Sequence, residues 1–196
     1  MKTVFVQLAS TAALLFSGAA TATTWTSGTL MSGAGAPSSP TFATLTSTVV
    51  GNDIEFTLAA HGLDLFSAEA GSTVFVGALA VAGSNLNIGS VADVGGGVSA
   101  VGSNAGNGPT GNYDFRFTFG QGAKSRLTDG ESVTWTWVGG ADELVTGYAL
   151  HVQAISYGQT TSAWYATSPV PEPQTYALFA AGLALVGAQL RRRRGR

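Results

Sequence analysis

Two histidines and two closely spaced pairs of carboxylates are the residues whose types could support catalysis or metal binding. They are His61, His151, Asp53 with Glu55, and Asp142 with Glu143. One histidine suffices for a Ser-His-Asp triad, but the spacing around neither histidine predicts one. The carboxylate pairs have the chemistry for Ca²⁺ binding or glycoside hydrolysis, although neither has EF-hand spacing. We expect hydrogen-bonded structural histidines and solvated carboxylates, with no catalytic residue, metal site or cofactor.

Trp135 and Trp137 are the candidates for binding a glycan. At positions i and i+2 of a predicted strand, they project from one face and could form a platform on which sugar rings stack. Val133 shares that face, while Thr134 and Thr136 occupy the other. This pattern is also typical of a strand that faces the core. A glycan-binding platform and a pair of core aromatics are therefore the two interpretations.

Composition and context exclude several other classes of chemistry. Residues 106–111 spell G-N-G-P-T-G, but a dinucleotide site needs a helix after such a loop, and here a strand is predicted to follow. The chain has no cysteine, which excludes thiolate nucleophiles, zinc-thiolate sites and iron–sulfur clusters. Between residues 23 and 168 there are three basic and ten acidic residues, a net charge near −7 that disfavours nucleic acid as a partner.

These residues are predicted to lie on or between β-strands. Alternation and β-branched or aromatic enrichment predict strands at 41–50, 54–60, 73–81, 113–119, 132–138 and 148–156, and a short one at 163–167. Gly51-Asn52-Asp53 predicts a hairpin turn. Residues 28–40 are predicted to be an irregular lead-in. Two interpretations remain open for the glycine-rich tract 83–111. The tract is either a long loop or contains one or two short edge strands, at 88–94 and 98–101.

One buried and one solvated face are predicted for these strands. Phe115, Phe117 and Phe119 fall on one side of their strand, whereas Asp114 and Arg116 fall on the other. Such alternation is typical of antiparallel sheets that cover a core on one side. We therefore predict an all-β fold, an antiparallel β-sandwich, with jelly-roll and Ig-like topologies both left open.

The N-terminal segment has the pattern of a signal peptide. Lys2 is the only charge before an apolar stretch that runs roughly from residue 4 to 20, and Ala20-Thr21-Ala22 offers an A-x-A cleavage pattern. We expect signal peptidase to cut between Ala22 and Thr23 after export through the Sec translocon. A short buried helix of the domain is the alternative.

The C-terminal segment 169–196 has three parts in a fixed order. Alternating prolines in Pro169-Val170-Pro171-Glu172-Pro173 favour an extended, accessible backbone. An uncharged apolar run at 176–190 predicts a single transmembrane helix of about 22 Å, short for a hydrocarbon core of about 30 Å. An arginine cluster, 191–196, follows; by the positive-inside rule its members Arg191, Arg192, Arg193 and Arg194 would stop transfer on the cytoplasmic side.

This arrangement resembles the PEP-CTERM sorting domain of Gram-negative bacteria. The matching residues are Val170-Pro171-Glu172-Pro173, Leu178, Gly182-Leu183 and the run 191–194. The resemblance implies that Pro171, Glu172 and Pro173 are recognised by exosortase, a membrane-embedded transpeptidase similar to cysteine proteases. It also implies a protein held transiently in the membrane by its tail and then located at the cell surface or outside, often in organisms that make exopolysaccharide.

Three regions are expected: a signal peptide at 1–22, an exported β body at 23–168 and a sorting tail at 169–196. The body is predicted to be a non-enzymatic structural module, or one that binds exopolysaccharide or another protein. Two alternatives remain open. The first is a secreted hydrolase. The second is a plain single-span membrane-anchored protein, in which Pro-Glu-Pro is an ordinary stiff linker.

Overall fold

The computed structural model describes residues 22–83, 85–96, 101–105, 108–109, 113–171, 180, 182–184 and 186. Ten strands make up most of this part of the chain. They are β1 (Ala22–Ser32), β2 (Ala43–Val50), β3 (Asp53–Ala60), β4 (Phe75–Ala82), β5 (Ser90–Gly96), β6 (Val101–Ala105), β7 (Tyr113–Phe119), β8 (Ser132–Val138), β9 (Gly147–Tyr157) and β10 (Thr160–Val170). Two single turns of 3₁₀ helix, Leu63–Leu65 and Gly140–Asp142, lie in the connections.

All ten strands belong to one antiparallel sheet, in the order β5-β8-β3-β2-β1-β10-β9-β4-β7-β6. The first and last strands are therefore neighbours at the middle of the sheet. The edge strands β5 and β6 contact each other, so the sheet curls back on itself. The predicted all-β antiparallel class is confirmed. The strands form one continuous curled sheet. The predicted sandwich, with its jelly-roll or Ig-like topology, is not confirmed.

The core lies between the two halves of the curled sheet. Rings from β3 and β8 meet rings from β7: the centroids of Phe56 and Phe117 are 5.6 Å apart, and those of Phe117 and Trp135 are 5.4 Å apart. Phe115, Phe117 and Phe119 are all buried, as their alternation predicts. Burial of large aromatic side chains is the main favourable term for such a domain, at about 25 cal/mol per Å² of apolar surface.

Several strands end where the sequence places them. The strands predicted at 113–119 and 132–138 are found with those bounds. β2 and β3 form the predicted hairpin, in which Gly51 has φ of 63°, a left-handed conformation that glycine adopts without steric cost. Of the two alternatives for the glycine-rich tract, the structure contains the edge strands, as β5 and β6.

The strand β1 was not predicted, and β10 extends beyond its predicted bounds. Residues 28–32 belong to β1, so the prediction of an irregular lead-in from residue 28 was wrong for that part. β1 is rich in threonine, serine and glycine, and it forms because β2 and β10 pair with it on both sides. β10 runs from Thr160 to Val170 rather than from 163 to 167, and so crosses the predicted boundary between body and tail.

Candidate functional site

The sorting motif begins inside the folded sheet. Val170, its first residue, is the last residue of β10 and pairs with Thr24 of β1. Pro169 pairs with Trp25 in the same ladder. The last residue of β10 that pairs with β9 is Ala166, which faces Ala149. Beyond that pair β10 has a neighbour on one side only, and proline, which has no N–H group to donate, is tolerated in such an edge position. Val170 is 40% exposed and Pro171 is exposed, so the chain leaves the sheet at this point.

The predicted signal-cleavage residues lie beside the motif. Ala22 opens β1 and pairs with Thr48, and the next residue, Thr23, pairs with Ser47. Since β1 and β10 are neighbours, the N-terminal segment and the C-terminal tail leave the same end of the sheet. Cleavage between Ala22 and Thr23 stays a prediction.

Much of the predicted tail lies outside the described residues, including Glu172, Pro173 and Arg191, Arg192, Arg193 and Arg194. Within the predicted apolar helix 176–190, positions 180, 182–184 and 186 have helical backbone. In the part of the chain that the structure describes, no helix has both the length and the apolar character needed to cross a membrane.

Trp135 and Trp137 are core residues, and the prediction of a sugar-stacking platform is corrected. Their exposed fractions are 1% and 0%. Trp135 stacks on Phe56 at a centroid distance of 5.0 Å, and Trp137 meets Phe115 edge-on at 4.9 Å. Because the other half of the curled sheet covers both indoles, neither ring offers a free face to a sugar.

His151 and His61 occupy different environments. The His151 ring stacks on Trp164 of the neighbouring strand, with centroids 4.3 Å apart and planes within 5° of parallel. Burial, and secondarily the positive charge of Arg116, lowers the pKa of His151 to about 4, so its imidazole is neutral at pH 7. His61 is exposed, and its Nε2 lies 3.0 Å from the hydroxyl of Thr44. Both rings are engaged in local contacts, as expected of structural histidines.

The four candidate carboxylates do not converge. Asp53 Oδ1 accepts a hydrogen bond of 2.8 Å from the backbone N–H of Gly139, which ties the β2–β3 hairpin to the end of β8. Asp142 is exposed in the second 3₁₀ turn, with Glu143 after it. Among the described residues, no group of three or more His, Asp or Glu side chains could hold a metal ion.

Glu55 lines a shallow groove on the outer face of the sheet. The groove has a volume of about 290 Å³ and lies across β3, β8 and β5. Its polar side chains are those of Glu55, Thr57, Asp93, Thr134 and Thr136. Hydroxyl and carboxylate groups in this arrangement can hydrogen-bond to a polar surface, but the groove presents no exposed aromatic ring.

Ser27 is a structural residue that the sequence does not reveal. Its buried hydroxyl oxygen accepts hydrogen bonds from the N–H groups of Phe42 and Ala43 at 2.7 and 3.2 Å, and its O–H donates to the carbonyl of Pro40 at 3.1 Å. These bonds join β1 to the start of β2. No motif marks this role, because the partners are more than twelve residues away along the chain.

The C-terminal tail matches a known protein-family model. Residues 169–194 match the model of the PEP-CTERM protein-sorting motif. No curated protein and no solved structure matches the chain. The match begins at Pro169, within β10, and includes the proline motif, the apolar run and the arginines that the sequence singles out. The tail of this chain thus carries a PEP-CTERM sorting motif, which implies an exported protein that is processed by exosortase.

Proposed function

We propose that this protein is an exported cell-surface or extracellular-matrix component whose tail is removed by an exosortase-like membrane enzyme. Its β body serves as a non-enzymatic structural or binding module. The observation that carries the proposal is the sorting motif at 169–194, joined directly to the last strand of the body. The apolar run 176–190 would hold the precursor in the membrane until the enzyme acts, and the arginines would keep its far end in the cytoplasm.

The position of Val170 supports the processing part of this proposal. Residues up to Val170 are held in the sheet, whereas Pro171 is exposed and outside any strand. A processing enzyme needs an extended segment that is free of a hydrogen-bonded ladder. The Pro-Glu-Pro sequence begins directly after the last residue of the last strand, and proline, which has no N–H group, disfavours pairing in a ladder.

Two features of the body support a structural or binding role. The core is filled by stacked and edge-on aromatic rings, and both histidines are engaged in local contacts, His151 with Trp164 and His61 with Thr44. The polar groove of Glu55, Thr57, Asp93, Thr134 and Thr136 is the surface on which we place weak contacts with exopolysaccharide or a protein. Hydroxyl and carboxylate groups can exchange hydrogen bonds with sugar hydroxyls there.

Substitution of the motif prolines tests the proposal. The double variant Pro171→Ala/Pro173→Ala and the control Gln174→Ala would be expressed in a bacterium that has an exosortase. We expect the control to lose its tail and the double variant to retain it in the membrane fraction. Equal processing of both variants, or full-length protein from both, would overturn the proposal, and the second result would favour the plain single-span anchor.

A further inference from the structure

We infer that one end of the sheet lies on the bilayer surface and contacts lipid while the tail is membrane-inserted. The inference rests on the proposed function for the insertion of the tail. The contact is made by a group of exposed apolar side chains, here called the terminal patch. Its members are Val49, Val50, Val138, Leu144 and Val170.

Exposed apolar side chains are concentrated at this end of the body. Among the described residues up to Pro171, seven large apolar side chains are exposed, and five of them form the terminal patch. Leu144 has the largest exposed fraction, 76%. The other two are Val94, within β5, and Leu65, in the 3₁₀ turn that follows β3 at the opposite end of the sheet. Single exposed apolar residues are ordinary, whereas a group at one end marks a contact surface.

Strand register places Val49, Val50 and Val138 together, and Val170 lies about 13 Å below the level of Val50 on the same end of the sheet. Val50 closes β2 opposite Asp53, and Asp53 is bonded to Gly139, the residue after Val138. Leu144 lies in the connection from β8 to β9, which begins at this end. Ala22 pairs with Thr48, two residues before Val50, so an uncleaved N-terminal segment would leave here as well.

Chain length holds this end close to the membrane. Val170 and Thr46 both pair with Thr24, so they lie at the same level in the sheet. Val50 lies four residues beyond Thr46, about 13 Å at the rise of a strand. Six Cα–Cα steps separate Val170 from Tyr176, where the apolar run begins, and they span at most about 21 Å. If the run starts at the membrane interface, no more than about 8 Å remains between the level of Val50 and that interface.

The charges at this end exclude electrostatic attraction to anionic lipid as the basis of the contact. Asp53, Asp142 and Glu143 lie near the patch, and no lysine or arginine of the described body does. Lys124 and Arg126 follow β7 at the opposite end, and Arg116 lies within β7. Burial of the apolar side chains in the membrane interface therefore supplies the favourable free energy of the contact. We therefore expect anionic lipids to weaken the contact.

Site-specific fluorescence quenching tests the inference. The chain has no cysteine, so Leu144→Cys and the opposite-end control Leu65→Cys can each carry one fluorophore. Each full-length variant would be reconstituted into phosphatidylcholine vesicles that contain a headgroup-labelled nitroxide lipid, and co-flotation would be verified. We expect several-fold stronger quenching at position 144 than at position 65. We also expect quenching at 144 to fall as phosphatidylglycerol is added, and to recover in Asp142→Asn/Glu143→Gln.

The outcomes separate this inference from the proposed function. Protein that does not co-float with the vesicles would overturn both. Protein that co-floats but shows equal quenching at the two positions would overturn the lipid contact alone. Co-flotation without quenching at position 144 would also overturn the lipid contact. The terminal patch would then be assigned to a protein partner.

Discussion

Thr24 and Val170 face each other as the terminal register pair between the first and last strands of the sheet. Thr24 follows the predicted signal-cleavage site after Ala22 by two residues, and Val170 is the first residue of the Val-Pro-Glu-Pro motif. Folding therefore brings the two predicted processing points to one end of the molecule. β1 cannot gain its second neighbour until β10 has been synthesised and exported, so the middle of the sheet closes late.

Ser27 is predicted to be the most sensitive polar residue of the body. Ser27→Ala would leave the N–H groups of Phe42 and Ala43 buried without an acceptor, and we expect a loss of about 2–4 kcal/mol in the free energy of unfolding. Urea denaturation followed by tryptophan fluorescence measures the loss. Ser90→Ala, on the exposed start of β5, is the control and should change stability by less than about 0.5 kcal/mol. Equal effects of the two substitutions would contradict the assignment.

Trp135 is predicted to act through core packing. Trp135→Ala would remove a ring that contacts Phe56 and Phe117, at a cost of about 3–5 kcal/mol. Trp135→Phe should cost much less, because it keeps an aromatic ring and removes a buried N–H group that has no partner among the described residues. Equilibrium unfolding of both variants gives the two values. A stable Trp135→Ala protein would show that the ring is not a core element.

His151 is predicted to make stability depend on pH. Its pKa is about 4 in the fold and near 6.5 in an unfolded chain, so the folded state favours the neutral ring. The stabilisation is complete above pH 6.5 and is lost as pH falls from there towards 4. We expect the wild type to lose about 1–2 kcal/mol more than His151→Phe between pH 7 and pH 5. Parallel pH profiles for the two proteins, measured by urea denaturation, would refute this role.

Alternating residues made individual strands predictable. Phe115, Phe117 and Phe119 indicate a one-sided strand by themselves, and the turn at Gly51 and Asn52 indicates a hairpin between neighbouring strands. The proline motif and arginines of the tail are equally local signals. Features that depend on distant partners could not be predicted. β1 is a strand because β2 and β10 flank it, and Trp135 is buried because β7 lies across from it. The same alternation fits a core strand and a sugar platform.

Ala154 offers a backbone test of the structure. It lies in β9 with φ of 60°, a left-handed conformation that costs a residue with Cβ about 1–2 kcal/mol. Ala154→Gly should therefore stabilise the protein by about 0.5–1 kcal/mol, after the entropy of the glycine in the unfolded chain is subtracted. Ala59→Gly, in a part of β3 with regular pairing to both β2 and β8, is the matched control and should destabilise by about 0.5–1 kcal/mol. Thermal denaturation of both variants should give shifts of opposite sign; destabilisation by both would contradict the left-handed backbone conformation of Ala154.

The intact mass of the protein recovered from cells and from medium distinguishes a tail that is removed from a tail that is kept as an anchor. The predicted mature species starts at Thr23 and lacks everything after about residue 173, the end of the Pro-Glu-Pro motif. A species of that mass at the cell surface or in the medium would establish that the tail is a sorting signal that is removed after export. A chain that keeps its apolar run and arginines in the membrane fraction would contradict the claim and identify the tail as a permanent anchor.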